Sequence, residues 1–336
     1  MLILLPFLAL LTTSTAHPPS REHAKANDGL TFLGIPYARP PLGDLRFAPP
    51  VPLDQSRVNI EAKAILPSCL QYFTASPANA FNQDVLEYNL GGRNTTGHMN
   101  EDCLTLGVWT PTTSSHRSRA TESHRKRLPV IIFIYGGGFS TGGQDVPYQK
   151  PTQWIQRTRD HIVLVPNFRS NIFGYPSAPG LAQQNLGTLN IRTVVEWAKA
   201  NIAAFSGDPE HMILLGQSSG SMSIDWYTFG FYDDLIVTGV IEDSATGFTE
   251  GFTRAEGDTY NFTYVAESVG CAGYGEDSTG LLACMRKVDA LVINDFVEKV
   301  QRAGQLVFYF VPVVDEKLQF ANIPERALQG KQAKIA

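Results

Sequence analysis

Uninterrupted runs of apolar residues recur along the chain and are separated by segments of helical periodicity. The runs lie at residues 130–135, 162–165, 212–215, 239–241 and 308–314. Strands that are apolar at every position are typical of a parallel sheet covered on both faces. An alternating segment at 104–110 predicts a further strand, and residues 189–205 predict an amphipathic helix that ends at Ser206-Gly207-Asp208-Pro209. The pattern predicts an α/β fold with a mostly parallel central sheet and helices on both faces.

Two further segments complete this outline. Residues 31–50 are dense in Pro and Gly, which predicts an extended, turn-rich opening. Residues 246–305 are more polar and more helical in pattern, and they suit an insertion or cap.

The N-terminus has the features of a secretory signal. Residues 2–11 form an apolar core too short to span a bilayer, and Ser14-Thr15-Ala16 is a small-residue cleavage site. We therefore expect residues 1–16 to be removed and residues 17–336 to form one secreted, extracellular domain. The alternative is a short buried N-terminal helix. No other stretch is long and apolar enough for a membrane span.

The cysteines agree with secretion. An even count behind a signal peptide favours disulfides, and the natural pairing joins neighbours, Cys69 with Cys103 and Cys271 with Cys284. The sequence contains no CxxC motif and no pair of histidines at the spacing of metal ligands, so it does not favour a metal site. Two sequons predict N-glycosylation, at Asn94 and Asn261.

Composition and charge exclude one class of partner. The chain has 336 residues, 43% of them hydrophobic and 18% charged, which is ordinary for a protein with a large core. A net charge of -5 and a pI near 5.8 give no reason to expect nucleic acid as a partner. The basic run at 117–127 is rich in Ser and Thr and predicts a solvated loop.

Candidate chemistry begins at Gly216-Gln217-Ser218-Ser219-Gly220, directly after the apolar run 212–215. This order of strand, tight turn and helix is the nucleophile elbow, which lifts a serine Oγ above the end of a parallel sheet. Glycines flank the serine because a side chain would crowd the turn. A Ser/Gly-rich loop is the alternative interpretation of the pentapeptide alone, and the preceding strand favours the elbow.

A second glycine motif, Tyr135-Gly136-Gly137-Gly138-Phe139, also follows an apolar strand. Glycines let the backbone approach a substrate and point N–H groups at its carbonyl oxygen, and the N–H of the residue after the nucleophile completes such an oxyanion hole. Three glycines also occur in flexible linkers and phosphate cradles. Neither of these explains an elbow further along the same chain.

These motifs together resemble the type-B carboxylesterase/lipase family, the α/β-hydrolases that include cholinesterase-like enzymes. The matching segments are 32–38, 45–47, 101–104, 135–139, 167–169, 185–187, 196–197, 201–205, 207–209 and the elbow. The resemblance implies the α/β-hydrolase fold and a secreted serine carboxylic-ester hydrolase that forms an acyl-enzyme on Ser218. It implies a small-molecule or lipid ester as substrate, and no cofactor.

The resemblance also implies roles for individual residues. It makes Gly137, Gly138 and Ser219 the oxyanion donors, and both cysteine pairs fall where the family has disulfides. Arg46 and Glu101 resemble a buried structural ion pair. Ser244 falls where the family often has a supporting serine, and a strand-end turn serine is the equal alternative.

The chain departs from the family pattern in several places. The residue before the nucleophile is usually Glu and is Gln217 here, Ser219 replaces the usual Ala, and Asn190-Ile191 replaces the usual Asp-Gln. The segment before Thr31 is short, which predicts that an opening β-hairpin is missing. No tryptophan lies between residues 68 and 103, where cholinesterases bind choline, so we do not expect cholinesterase activity.

The histidines form the largest departure. All seven precede Ser218, whereas this fold supplies its histidine after the serine. Residues 311–330 resemble the segment just before the family's acid, so the acid and the histidine are expected beyond Ala336, with the C-terminal part of the fold missing. Asp243, Asp315 and Glu316 are not expected to replace the acid.

Two hypotheses follow. The chain is part of a secreted serine esterase, or it is a catalytically dead truncated form or a non-enzymatic binding homologue. For this chain made alone, the strand near 239–241 is predicted to be an exposed apolar edge, which invites aggregation.

Overall fold

The computed structural model of the chain describes residues 24–26, 29–53, 60–72, 99–111, 127–249, 251–303 and 309–335. The expected signal segment 1–16, the sequon at Asn94 and nearly all of the basic run 117–127 lie outside these residues.

A seven-stranded sheet forms the centre of the fold, in the spatial order β1-β2-β5-β7-β6-β8-β9. Its strands are β1 (Ala24–Ala26), β2 (Gly29–Pro36), β5 (Thr105–Pro111), β6 (Leu128–Ile134), β7 (Ile162–Pro166), β8 (Gly207–Gln217) and β9 (Gly239–Asp243). The last four strands pair in parallel, while β1, β2 and β5 pair antiparallel with their neighbours. Two short strands, β3 (Ser68–Cys69) and β4 (Met99–Asn100), pair separately.

Burial confirms the predicted α/β class. Strands β5 and β7 are buried at every position, so both faces of the sheet are covered at its centre. The strand β9 lies at the edge of the described sheet, where Ile241 is 47% exposed.

One expectation about the opening segment is wrong. The strands β1 and β2 form an antiparallel hairpin, in which Ala24 pairs with Thr31 and Ala26 with Gly29. A three-residue strand is enough to make this ladder, so the shortness of the segment before Thr31 did not indicate its loss.

Eight helices are described around the sheet. They are α1 (Thr152–Thr158), α2 (Asn171–Gly174), α3 (Leu186–Asn201), α4 (Ser219–Gly230), α5 (Tyr260–Ser268), α6 (Ser278–Met285), α7 (Ala290–Ala303) and α8 (Ile323–Leu328). The helix α3 is the predicted amphipathic helix and continues as a 3-10 turn to Phe205. Ser206 then ends it in the left-handed region, with φ 71°.

The cap-like segment is helical as predicted, since it contains α5, α6 and α7. The apolar run 308–314 differs from the other runs. From residue 309 onwards it forms a single bridge, between Val313 and Arg254, and no strand. Its buried side chains, such as Phe310 and Val311, pack on helices instead.

Two disulfides join the cysteines by neighbours, as the sequence predicted. The bond Cys69–Cys103 links β3 to the start of β5, with 4.9 Å between the Cα atoms. The bond Cys271–Cys284 ties the end of α5 to α6, with 5.8 Å between the Cα atoms.

Candidate active site

The predicted elbow lies at the carboxyl end of β8. Ser218 directly follows the strand and directly precedes α4, and its backbone has φ 52° and ψ -124°. A serine with positive φ is strained, and such strain is concentrated at functional positions. The turn therefore presents the side chain of Ser218 at the end of the sheet, between the strands β6 and β9 that flank β8.

The two glycines of the elbow are required by close packing. A Cβ at Gly220 would lie 2.1 Å from the carbonyl oxygen of Ile134, and a Cβ at Gly216 would lie 2.6 Å from the carbonyl oxygen of Gly220. Both distances are well below van der Waals contact. The glycines thus let α4 start directly against β6.

Backbone hydrogen bonds hold Ser218 itself. Its N–H donates to the carbonyl oxygen of Asp243 at 2.8 Å, and its carbonyl oxygen accepts from the N–H of Met222 at 3.0 Å. Its Oγ makes no hydrogen bond to any residue that the structure describes. The backbone of the serine is fixed while its hydroxyl is left available.

The predicted oxyanion loop lies beside this serine. A Cβ at Gly136 would be 2.8 Å from the Cβ of Ser218, so the loop begins in contact with the elbow. Gly137 and Gly138 have φ values of 131° and 61°, which favour glycine. A Cβ at Gly137 would lie 2.2 Å from the carbonyl oxygen of Thr141, whereas one at Gly138 would meet nothing within 4 Å.

Three backbone N–H groups at this position have no acceptor among the described residues. They belong to Gly137, Gly138 and Ser219. Ser219 is the first residue of α4, and the first N–H groups of a helix have no partner within the helix. Donors held in this way beside a nucleophile can bind the negative oxygen of a tetrahedral intermediate.

The loop continues into Phe139, which is held on both sides of its backbone. Its N–H donates to the Oγ of Ser219 at 3.3 Å. Its carbonyl oxygen accepts from the N–H of Asn171 at 2.6 Å. Its ring lies between Tyr175 and Trp226, with centroid distances of 5.4 and 5.7 Å.

Sequence reasoning missed Asn171 altogether. Its backbone has φ 45°, a conformation that Asn tolerates better than most residues, and its Nδ2 donates to the carbonyl oxygen of Leu70 at 2.8 Å. The sequence contains one indication of Asn171, which is that it closely follows the segment 167–169 that matches the family.

The two residues expected to support the site have different surroundings. Gln217 packs against the oxyanion loop, since its Oε1 lies 2.8 Å from the position of a Cβ at Gly136. Ser244 is exposed, has φ 69°, and donates from its Oγ to the carboxylate of Asp243 at 2.7 Å. These contacts favour the strand-end turn as the interpretation of Ser244.

The loop after β9 is attached to α4 by three side chains. The Oγ of Ser221 donates to the carbonyl oxygen of Ala245 at 2.5 Å, and Asp225 accepts from the N–H of Gly247 at 2.7 Å. The indole N–H of Trp226 donates to the carbonyl oxygen of Gly247 at 3.1 Å. Beside them, desolvation and the nearby charge of Asp225 raise the pKa of Glu242 to about 7.

Neither of the two histidines in the described part of the chain lies near Ser218. His211 is close to the start of β8, roughly 20 Å of extended strand away, and its Nδ1 lies 2.7 Å from Asp208. His161 precedes β7 at the opposite end of the sheet, with its Nδ1 2.7 Å from Asp160.

Two buried arginines have unequal partners. Arg46 and Glu101 form a two-pronged ion pair with distances of 2.5 and 2.7 Å, which confirms the predicted pair. Arg169 instead donates from Nε to the amide oxygen of Asn190 at 3.0 Å. Burial lowers the pKa of Arg169 to about 10.

Because Asn190 replaces the Asp that is usual in the family, the charged guanidinium of Arg169 lies beside a neutral amide. Among the described residues, the Nη2 of Arg169 and the Nδ2 of Asn190 have no hydrogen-bond partner.

The position of Asn261 argues against the predicted glycan. This residue lies on α5, is 6% exposed, and donates from Nδ2 to the carbonyl oxygen of Tyr309 at 3.3 Å. A glycan is attached through this nitrogen, which in the folded chain is directed at the backbone of residue 309. The sequon can be recognised in the sequence, but the burial of Asn261 depends on contact with the segment at Tyr309, which is remote in sequence.

Within the described ranges, no group of three or more His, Cys, Asp or Glu side chains is arranged to bind a metal ion. No helix in these ranges combines the length and the apolar character needed to cross a bilayer.

A strand-turn-helix elbow with a strained serine, set in a mostly parallel sheet and faced by a glycine loop, defines an α/β-hydrolase. The family model described as "Carboxylesterase family" matches residues 20–336. The chain belongs to the carboxylesterase family.

The chain is also similar to three individual proteins. It is 39% identical over 327 residues to "Chlorogenic acid esterase" of Aspergillus niger, covering 97% of this chain and 60% of that protein. It is 36% identical over 337 residues to "Secreted lipase 5" of Gibberella zeae, covering 97% and 62%. It is 28% identical over 326 residues to "Acetylcholinesterase" of Electrophorus electricus, covering 93% and 46%. The chain thus spans less than two thirds of the length of each of these relatives.

Proposed function

We propose that the protein is a secreted serine hydrolase of carboxylic esters. The observation that carries this proposal is the juxtaposition of an unbonded Ser218 Oγ with three backbone N–H groups that have no acceptor among the described residues. A serine nucleophile and preorganised donors are the parts that ester hydrolysis requires.

In the proposed reaction, the Oγ of Ser218 attacks the ester carbonyl carbon and gives up its proton to a general base. The carbonyl oxygen becomes an oxyanion, which the N–H groups of Gly137, Gly138 and Ser219 stabilise. Collapse of this intermediate breaks the bond to the alcohol, which takes the proton from the protonated base, and leaves an acyl group on Ser218. Water then releases the acid by the same route. Loss of one such donor typically costs about 3 kcal/mol of transition-state stabilisation.

The proton of Ser218 requires a general base, which is a histidine in most enzymes of this type. We do not propose His161 or His211 for this role, since each is already bonded to an aspartate far from Ser218.

The substrate class follows from the family and remains a proposal for this chain. Relatives carry the names chlorogenic acid esterase and secreted lipase, so we propose a small-molecule or lipid carboxylic ester as substrate. A panel of chlorogenic acid, p-nitrophenyl acetate and p-nitrophenyl palmitate separates these possibilities by kcat/KM. Recovery of the protein from culture medium, with an N-terminus at residue 17, tests secretion.

Labelling of the natural protein with a fluorophosphonate tests the mechanism. We expect one adduct, on the peptide that contains Ser218, and hydrolysis of p-nitrophenyl acetate that Ser218→Ala abolishes. Ser268→Ala is a matched control, because this exposed serine on α5 bonds only within its helix. Turnover that survives Ser218→Ala would contradict the mechanism. A folded protein with neither labelling nor turnover would favour the non-enzymatic binding homologue.

A further inference from the structure

The side chain of Ser219 makes a contact that its backbone role does not require. Its Oγ accepts a hydrogen bond from the N–H of Phe139 at 3.3 Å, and Ser219 is 5% exposed. The usual alanine at this position has no oxygen to offer. The contact joins the first residue of α4 to the glycine loop, which are distant in sequence.

The position of this bond determines what it does. The N–H of Phe139 belongs to the peptide plane that begins at the carbonyl of Gly138. Fixing that N–H fixes the plane, and so removes one of the two backbone rotations next to Gly138. Gly138 has φ 61°, and its N–H is one of the three proposed donors. Because glycine restricts its own backbone least, the loop requires outside contacts to hold this donor in place.

Other contacts also hold the loop, but they join it to residues 71, 72 and 171 and not to α4. Asn171 binds the carbonyl oxygen of Phe139, on the far side of that residue from Gly138. The Oγ of Ser140 donates to the carbonyl oxygen of Gly138 at 3.2 Å and lies 3.5 Å from the Oη of Tyr72. The Oε1 of Gln71 accepts from Thr141 and from the N–H of Gly142, at the end of the loop away from Gly138. The bond from Phe139 to Ser219 therefore connects the loop to the elbow directly.

We propose that the hydroxyl of Ser219 positions the oxyanion loop. One residue then supplies one donor through its own N–H and aligns the donors of the glycine loop through its Oγ. Both halves of the proposed oxyanion hole are thereby coupled to the start of α4. The inference rests on the proposed function, because alignment of the donors matters only if an oxyanion forms at this position.

The test compares Ser219→Ala with Ser221→Ala in the protein expressed from its own gene in a secreting host. Ser221 is a matched control, since it is a buried serine on the same helix whose Oγ bonds to Ala245 instead of the loop. Hydrogen exchange of peptides covering residues 135–141 reports on the bond itself. The labelling kinetics of a fluorophosphonate, resolved into an inactivation rate and an apparent affinity, report on its effect.

We expect Ser219→Ala to speed exchange in the 135–141 peptides about fivefold, as the loss of one neutral hydrogen bond predicts. The inactivation rate should fall about fivefold with the apparent affinity unchanged, because the donors act on the transition state. Ser221→Ala should change neither measurement. Ser219→Thr keeps the hydroxyl and should restore both values toward those of the parent.

Three outcomes would overturn the inference. They are unchanged exchange in Ser219→Ala, an unchanged inactivation rate despite faster exchange, and an equal loss in Ser221→Ala. A parent protein that fails to label at all would refute the proposed function, and this inference with it. The exchange measurement would then still report whether the bond exists, so the two failures can be distinguished.

Discussion

The strand that carries the elbow, β8, has two neighbours that differ in nearly every respect. On one side β6 is central, and Val130, Ile132 and Ile134 have no exposed surface. On the other side β9 is the edge of the described sheet, and its last three residues are exposed. The oxyanion loop follows β6, while the turn that contains Ser244 follows β9.

The β6 and β9 sides of the elbow hold the nucleophile in two different ways. On the β6 side, the elbow is fixed by close packing, in which backbone atoms leave no room for a single Cβ. On the β9 side it is fixed by hydrogen bonds, chiefly from the N–H of Ser218 to the carbonyl oxygen of Asp243. Packing is sensitive to volume, and a backbone hydrogen bond is not. Substitutions on the two sides should therefore differ in their effects.

The largest effect is expected from Gly220→Ala. The new Cβ would lie 2.1 Å from the carbonyl oxygen of Ile134 and 2.6 Å from that of Tyr135, and neither backbone atom can move without shifting β6. We expect a loss of more than about 4 kcal/mol in the free energy of unfolding, measured by urea denaturation. Gly239→Ala on β9 is the control, because its Cβ would meet only side-chain atoms, at 3.3 Å and beyond. Equal losses in the two variants would abolish the proposed contrast.

A pair of isoleucines sharpens the comparison. Ile134 on β6 is fully buried, whereas Ile241 on β9 is 47% exposed. We expect Ile134→Ala to cost about 3 kcal/mol, through lost burial and a cavity, and Ile241→Ala to cost less than about 0.5 kcal/mol. Urea midpoints of the two variants measure the difference. A cost above 2 kcal/mol at Ile241 would mean that another surface covers β9 in the folded protein.

The buried region also contains a position where substitution should stabilise. Arg169 is 3% exposed, and its Nε bonds only to the neutral amide of Asn190. A carboxylate in the place of this amide could bind Nε and the unpartnered Nη2 together, and hydrogen bonds to charged groups contribute about 1.5–3 kcal/mol. Desolvation of the new charge offsets part of this gain.

We therefore expect Asn190→Asp to raise the free energy of unfolding by about 1 kcal/mol. Asn190→Leu, which removes the acceptor, should destabilise the protein. A lower melting temperature for Asn190→Asp than for the parent would show that the desolvation cost exceeds the gain.

The contrast between the two sides also explains how much the sequence could predict. The strands β5 to β9, the helix α3 and both glycine motifs depend on local periodicity and on steric rules for single residues, and all of them were predicted. The apolar run 308–314 is the exception, because its described part forms no strand.

Contacts between remote segments could not be predicted in the same way. The acceptor of the Phe139 N–H, the hydrogen bond from Asn261 to the backbone of Tyr309 and the contact of Asn171 with the oxyanion loop each depend on how separate elements meet. The hairpin of β1 and β2 was missed for a different reason. The segment before Thr31 was judged too short for a hairpin, but β1 needs only three residues to pair with β2.

The smallest predicted effect concerns Glu242, on the exposed strand β9. Its pKa is raised to about 7 by desolvation first and by the charge of Asp225 second. The folded state therefore binds more protons than the unfolded state between about pH 4.5 and 7, so stability should fall as pH rises through this range. Glu242→Gln should flatten this slope and converge with the parent at the acid end. Melting temperatures from pH 4.5 to 8 measure the effect, with Glu256→Gln, an exposed loop residue, as the control for charge. If the pH dependence of the melting temperature is unchanged in Glu242→Gln, then β9 is more fully hydrated than its position beside Asp225 implies. The two sides of the elbow would in that case differ in packing alone.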